Sequence, residues 1–182
     1  MQTREKNQLM TYEEIERTLQ RLAHEIVEKT NGAGKVALIG IRRRGVPLAR
    51  RIARMIEASS GVKLPIGILD ITLYRDDLSL VADHPIVQST DINFPVDDKI
   101  LILVDDVLYT GRTVRAALNG LFDHGRPRAI QLCVLIDRGH RELPIEATYA
   151  GRKVQTTDLE IIEVRLSEID HEERVMLIER VP

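Results

Sequence analysis

Ile100-Leu101-Ile102-Leu103-Val104-Asp105-Asp106-Val107-Leu108-Tyr109-Thr110-Gly111-Arg112-Thr113 is the stretch on which the fold turns. Ile100 to Val104 is a continuous apolar run, the pattern of a strand buried on both faces. Two adjacent carboxylates stand at its C-terminal end, and a Thr-Gly-x-Thr turn opens a helical pattern over Thr113 to Phe122, ended by His124-Gly125. In an open α/β sheet, ligands sit at the carboxyl ends of the strands. The turn supplies backbone N–H groups, two hydroxyls and a positive helix terminus, which together seat a phosphate monoester. Asp105 and Asp106 would repel that same anion. They suit hydroxyl donors or a Mg2+ ion, and a sugar phosphate presents hydroxyls and phosphate together.

Outward from this stretch, strands and helices alternate. Thr11 with Glu14 makes a capping box, after which Ile15, Leu19, Leu22 and Ile26 recur at helical spacing to Lys29. Beyond the turn Asn31-Gly32, Val36 to Ile41 reads as a strand, and Gly45 and Pro47 open a helix through about Ala58. Ile68 to Leu73 is the next expected strand. Arg75 to Asp98 is long for a structureless connection, and such segments are usually functional or mobile. Ile130 to Ile136 is a second buried strand. The order predicts a mainly parallel sheet covered by helices on both faces. From Asp137 to the end the period shortens, and Tyr149, Ile161 to Val164 and Val175 to Ile178 are expected as strands of a smaller attached element.

The 182 residues carry 26 Lys and Arg against 28 Asp and Glu, so a net charge of -2 gives no global attraction to a nucleic acid or an anionic membrane. A polyanionic partner must be held by a local patch. Composition fits one domain spanning 1–182, and the single cysteine, Cys133, sits in an apolar run as a small core residue consistent with a reducing compartment. No window approaches a membrane span, and Met1 to Met10 lacks the apolar core of a secretory signal, so a cytoplasmic location is expected. Aromatic residues make up only 3%, which disfavours a base-stacking platform.

The string ending in Thr113 resembles the phosphoribosyl pyrophosphate (PRPP) signature of type I phosphoribosyltransferases. Three further segments are similar to the PyrR family of bifunctional pyrimidine-operon attenuation regulators and uracil phosphoribosyltransferases. These are Arg21 to Ile26, Leu69 to Leu78 and Asp137 to Ile145. The resemblance runs from the first helix to about Thr156. It implies the type I phosphoribosyltransferase fold, an α/β domain with a mainly parallel sheet flanked by helices and a small hood drawn mainly from 137–182. It also implies transfer of phosphoribose from PRPP to uracil, giving UMP and pyrophosphate, and UMP-responsive binding to the leader mRNA of a pyrimidine biosynthetic operon.

By the same resemblance, Asp105 and Asp106 hold the ribose hydroxyls while Val107, Leu108, Tyr109, Thr110, Gly111, Arg112 and Thr113 form the PRPP and UMP seat. Arg42, Arg43, Arg44 and Gly45 occupy the pyrophosphate loop, where guanidinium and backbone donors would bind the leaving group together with a Mg2+ carried mainly by PRPP. Arg75 joins the catalytic set, and Asp76 and Asp77 begin a loop that folds over bound PRPP and excludes water. Ile136, Asp137 and Arg138 border the uracil site; Asp137 is a candidate base, or an orienter of Arg138. Arg21, His24, His140, Arg141, Arg152, Lys153 and Thr156 form the implied RNA surface, and a homo-oligomer is expected. The sequence departs from the family at Arg43, where a hydroxyl residue is commoner, and at Glu146, where relatives are basic. Two rivals stand beside this reading. One is a hypoxanthine or guanine phosphoribosyltransferase without an RNA role; the other is a nucleotide-sensing RNA-binding regulator with negligible catalysis.

Other signals carry no chemistry. Gly32-Ala33-Gly34-Lys35 lacks the spacing and the following Ser or Thr of a phosphate loop, and it precedes a strand. His24-Glu25-Ile26-Val27-Glu28 lacks the second His of a zinc-protease helix. Asp170-His171-Glu172-Glu173 reads as a solvated turn before the last strand.

Overall fold

The computed structural model describes residues 2–76 and 89–181. Asp77 and most of the long segment after Arg75 lie outside the described residues. The chain runs β1 (Gln2–Met10), α1 (Tyr12–Lys29), β2 (Val36–Ile41), α2 (Gly45–Ser60), β3 (Ile66–Leu69), β4 (Ile100–Leu108), α3 (Arg112–Phe122), β5 (Ala129–Asp137), β6 (Tyr149–Lys153), β7 (Glu160–Arg165), a four-residue α4 (Ser167–Asp170) and β8 (Arg174–Val181).

Five strands form a parallel sheet in the order β3-β2-β4-β5-β6. The apolar runs of β2, β4 and β5 are continuous because alternate residues feed two cores. Leu38, Ile102, Val104, Cys133 and Leu135 pack with the stripe of α1 and with α2, whereas Ala37, Ile39, Leu101, Leu103 and Val134 pack with Val114, Ala117 and Leu121 of α3. Each cluster removes large apolar area from water, at roughly 25 cal/mol per Å2. Cys133 is fully buried, and burial pushes its thiol up to about 12, so it serves as packing. The capping box of α1 forms as read, with Glu14 N–H on Thr11 Oγ1 and Thr11 N–H on the Glu14 carboxylate. Among the described residues, no helix is long and apolar enough to cross a membrane.

Three expectations are corrected. The strand expected over Ile68 to Leu73 ends at Leu69, because the Asp70 carboxylate accepts from the Thr72 N–H at 2.9 Å and the Thr72 hydroxyl at 2.5 Å, curling the chain into a 3-10 turn over Thr72–Tyr74. Tyr149 belongs to the edge strand β6 of the large sheet and not to the smaller element, since Cys133 pairs with Tyr149 and Asp137 with Lys153 along β5. The smaller element is an antiparallel sheet, β1-β8-β7, whose edge strand comes from the N-terminus. A polar edge strand such as Gln2–Met10 gains its main-chain bonds from β8 and leaves little trace in hydrophobic periodicity. Met10, Ile162, Val164 and Val175 join the core cluster of α1 and α2, so the two sheets share apolar packing.

Candidate functional site

Strand order places the site. The chain leaves β2 through α2 to β3 on one side and leaves β4 through α3 to β5 on the other, so the crevice between β2 and β4 is the topological switch point. The β2 ladder with β4 ends at the pair Gly40 and Val104. β4 continues beside β5 through Leu108, so Asp105 and Asp106 emerge where the neighbouring strand has turned away. Gly45 lets α2 begin this close. A Cβ there would lie 2.2 Å from the Val104 carbonyl oxygen, an approach no side chain survives. Neither Arg44 before α2 nor Gly111 before α3 makes a side-chain cap; at α2 the Val46 N–H bonds the Arg43 carbonyl at 3.3 Å and Pro47 carries no N–H, while at α3 the Arg112 N–H donates to Thr110 Oγ1 at 3.3 Å. Gly111 adopts φ 92°, the left-handed geometry that the Thr-Gly-x-Thr turn requires.

A cavity of about 420 Å3 opens at this point, lined by Arg42, Arg43, Arg44 and Arg75, by Asp70, Asp105 and Asp106, and by Thr113 at the start of α3. Asp105 is buried; its carboxylate accepts the Asp106 N–H at 2.9 Å, and Asp106 accepts the Val107 N–H at 2.9 Å. Burial, reinforced by the adjacent Asp106 charge, holds the Asp105 carboxyl well above the ordinary carboxylate range. A cavity lined both by cations and by an adjacent acid pair suits a ligand that carries an anion and hydroxyls together.

Several expected residues face elsewhere. Arg44 lines the cavity but its guanidinium forks onto Asp170 of α4, at 3.2 and 2.7 Å, and the pair is partly buried. Arg42 donates to the Ser89 carbonyl at 3.2 and 3.0 Å. Arg112 ties the turn outward, to Asp76 at 2.7 Å and to Glu142 at 2.5 Å. At the end of β5, the Ile136 side chain is fully buried in the core, so it can meet a ligand only through its main chain. Asp137 accepts from the Gly139 N–H and the Arg141 guanidinium at 3.0 and 2.6 Å, so it orients Arg141 and not Arg138. Arg138 is buried, with Nε on Thr156 Oγ1 at 2.9 Å and its guanidinium 3.8 Å over the Tyr109 ring. A second cavity, about 310 Å3, lies between Arg138, Gly139, Glu146 and Lys153.

The implied RNA residues divide. Arg21 pairs with Glu25 at 2.5 Å and reaches the Gly151 carbonyl at 2.6 Å, while His24 stands exposed beside Gln20. Arg152 donates to the Leu9 carbonyl, and the His140 ring nitrogen lies 2.7 Å from the Thr156 carbonyl. Arg21, Arg152 and Lys153 thus gather around β6. Arg141 stands apart from these: its guanidinium turns inward onto Asp137 and the carbonyls of Tyr109, Gly139 and Ile145, so four of its five N–H donors serve the fold.

Two acids went unread in the sequence. Asp70 follows the C-terminal end of β3, the same position that singled out Asp105 and Asp106, and that rule could have found it. Asp170, read as part of a solvated turn, holds Arg44, and its neighbour Glu173 holds Arg51; a pairing across 126 positions leaves no local signal.

An open parallel sheet with a phosphate-type turn and an acid pair at its switch point defines a phosphoribosyl-transfer scaffold, and the sequence pattern of the phosphoribosyl transferase domain matches residues 6–169. The bifunctional protein PyrR of Pelotomaculum thermopropionicum is 58% identical over 97% of each chain, and that of Thermus thermophilus 54% identical over 96% of this chain and 97% of its own. The chain belongs to the phosphoribosyl transferase domain family and, within it, to the family of bifunctional PyrR proteins. Among solved structures, the hypoxanthine-guanine phosphoribosyltransferase of Bacillus anthracis aligns with TM-score 0.71 at 19% identity, covering 98% of this chain and 99% of its own. The hypoxanthine phosphoribosyltransferase of Trypanosoma cruzi aligns with TM-score 0.74 at 16% identity, covering 97% and 98%. At such identity these two speak for the fold alone.

Proposed function

We propose that this chain transfers phosphoribose from PRPP to uracil at the β2–β4 crevice and binds a pyrimidine-operon leader mRNA when UMP occupies the same crevice. The observation that carries the reading is the cavity lined jointly by Arg42, Arg43 and Arg75 and by Asp105 and Asp106. The Thr110 to Thr113 turn takes the 5'-phosphate, Asp105 and Asp106 accept from the ribose hydroxyls, and the Arg42 to Gly45 loop with Arg75 and Val107 flanks the pyrophosphate. Displacement at the anomeric carbon builds positive charge on the sugar as pyrophosphate leaves, so stabilising the leaving anion matters more than any nucleophilic side chain. Among the described residues no three metal-ligating side chains converge, and the donor set suits a Mg2+ held mainly by PRPP's own oxygens near Asp105 and Asp106. When bound there, Mg2+ supplies neutralisation of pyrophosphate charge.

Arg44 ties that loop to α4 through Asp170. The main chain at Ile136 to Arg138 and the smaller cavity beside it receive uracil, and Leu108 and Tyr109 close the seat beneath Arg138. The whole span 1–182 works as one domain, in the cytoplasm and as a homo-oligomer. On the RNA side, Arg21, His24, Arg152 and Lys153 form the phosphate-binding face with His140 and Thr156 at its margin; Arg141 supports the face from within.

Filter binding of leader RNA, with and without UMP and at several salt concentrations, tests the regulatory half. UMP should tighten binding, and replacing His24 and Arg152 by Ala should flatten the log-log salt dependence by about 0.7 to 0.9 for each phosphate that the protein then leaves unneutralised. Uracil turnover should stay near the parent value. A parent whose RNA affinity ignores UMP contradicts the regulatory reading and leaves the enzyme standing.

A further inference from the structure

The loop between β5 and β6, residues 138–148, is bonded to the phosphate turn through Arg141, Glu142 and Leu143. The Glu142 and Leu143 N–H groups donate to the Thr110 carbonyl at 2.9 and 3.3 Å, and the Arg141 guanidinium donates to the Tyr109 carbonyl at 2.8 Å. The position a Cβ would take on Gly111 lies 3.3 Å from Ile145 and 3.4 Å from Leu143, so loop and turn are in van der Waals contact. One ion pair joins these bonds to main-chain carbonyls: Arg112, inside the turn, donates through Nε to the Glu142 carboxylate at 2.5 Å, while its Nη1 holds Asp76 at 2.7 Å. The loop's other end runs directly into β6, whose Gly151 carbonyl receives Arg21 of α1.

We propose that Glu142, acting through Arg112, is the positioning residue by which this loop registers an occupied phosphate turn and carries that state to the basic face around β6. The proposal deepens the function proposed above and rests on it. A phosphate ester settling on Thr110 to Thr113 brings between one and two negative charges beside an acid that already shares Arg112. The ligand therefore interacts differently with the loop when Glu142 is held on Arg112 and when it is released, which is the differential any ligand-driven shift needs. The main-chain bonds to Thr110 keep the loop in register, and Glu142 is the charged member that responds. An exposed pair of this kind adds little to stability, so its removal should spare the fold.

The experiment compares parent, Glu142→Gln and Glu142→Asp as full chains. For each, leader-RNA affinity is measured without UMP and at saturating UMP, alongside kcat and KM for PRPP. In Glu142→Gln the enhancement of RNA affinity by UMP should fall by about fivefold or more, the smallest factor usual for a coupled pair of sites. RNA affinity without UMP should stay within about twofold, KM for PRPP should change more than kcat, and Glu142→Asp should recover most of the enhancement. Partial unfolding, which UMP reverses by binding the folded state, would raise the apparent enhancement and so cannot mimic its fall. Amide exchange on the parent provides a second readout, with UMP altering protection at Glu142 and Leu143. Full enhancement in Glu142→Gln, or unchanged exchange at those amides in the parent, overturns the role of the loop. A parent with no UMP enhancement overturns the regulatory reading itself and this inference with it.

Discussion

Replacing Asp105 and Asp106 together by Asn is expected to lower kcat/KM for uracil phosphoribosylation by a factor of about 100 or more, with the fold intact. Each acid loses a charge-assisted hydrogen bond worth roughly 1.5 to 3 kcal/mol, and about 1.4 kcal/mol is a tenfold change in rate. A second consequence runs in the opposite direction. Because burial and then the Asp106 charge raise the Asp105 carboxyl, the ligand-free fold favours its neutral form. The associated stability is present below the ordinary carboxylate value and is lost as pH rises through the raised one. Asp105→Asn stays neutral throughout. Its melting temperature without ligand should therefore gain on the parent as pH rises above the ordinary carboxylate value. Scanning calorimetry across a pH series and steady-state kinetics at one pH make the test. Near-parental turnover removes the pair from the site; a melting difference that ignores pH contradicts the raised carboxyl of Asp105.

The largest expected loss of stability comes from Arg51 on α2. Its guanidinium is buried and meets Glu173 at 2.5 and 3.0 Å, Glu168 at 2.8 and 2.6 Å and Glu16 at 3.1 Å. It thereby bolts α4 and the start of β8 to the face of α2 and α1. Glu16 and Glu168 keep about a third of their surface and contribute little, whereas Glu173 has 9% exposure and would be left as an uncompensated buried charge. Arg51→Ala should cost about 3 kcal/mol or more. At about 2 to 4 °C per kcal/mol for a chain of this size, the melting temperature should fall by roughly 6 to 12 °C. The deficit should shrink in acid. Burial works to raise the Glu173 carboxyl, but the hydrogen bonds and charge of Arg51 outweigh it, so Glu173 and Glu168 both titrate below the ordinary value. Their contribution is present above that value and is lost as pH falls through the lowered ones. A deficit equally large in acid would show that Arg51 acts by packing alone. Since Asp170 lies on the same short α4, the variant should also loosen Arg44 and raise KM for PRPP.

These two sites mark the boundary of what the sequence discloses. β4, the acid pair and the Thr110 to Thr113 turn are legible because continuous hydrophobicity, turn chemistry and helix onset all lie within one local stretch, and local rules decide each. Strand β1 is not, because its residues are polar and its pairing partner lies at the far end of the chain. Asp170 reads as part of a solvated turn for the same reason: its partner, Arg44, is fixed only when the hood folds against α2. Charge is legible at Arg141 but direction is not, so a residue expected to face RNA proves to clamp Asp137 and the Tyr109 carbonyl. Asp70 is legible in principle, since the rule that points to the ends of parallel strands applies to β3 as well as β4.

The central claim is that the β2–β4 crevice makes UMP from uracil. Pyrophosphate release from Mg-PRPP, followed in steady state with uracil, hypoxanthine and guanine supplied separately, tests it most directly. The account predicts release with uracil and background with both purines; preference for either purine, or background with all three bases, contradicts it.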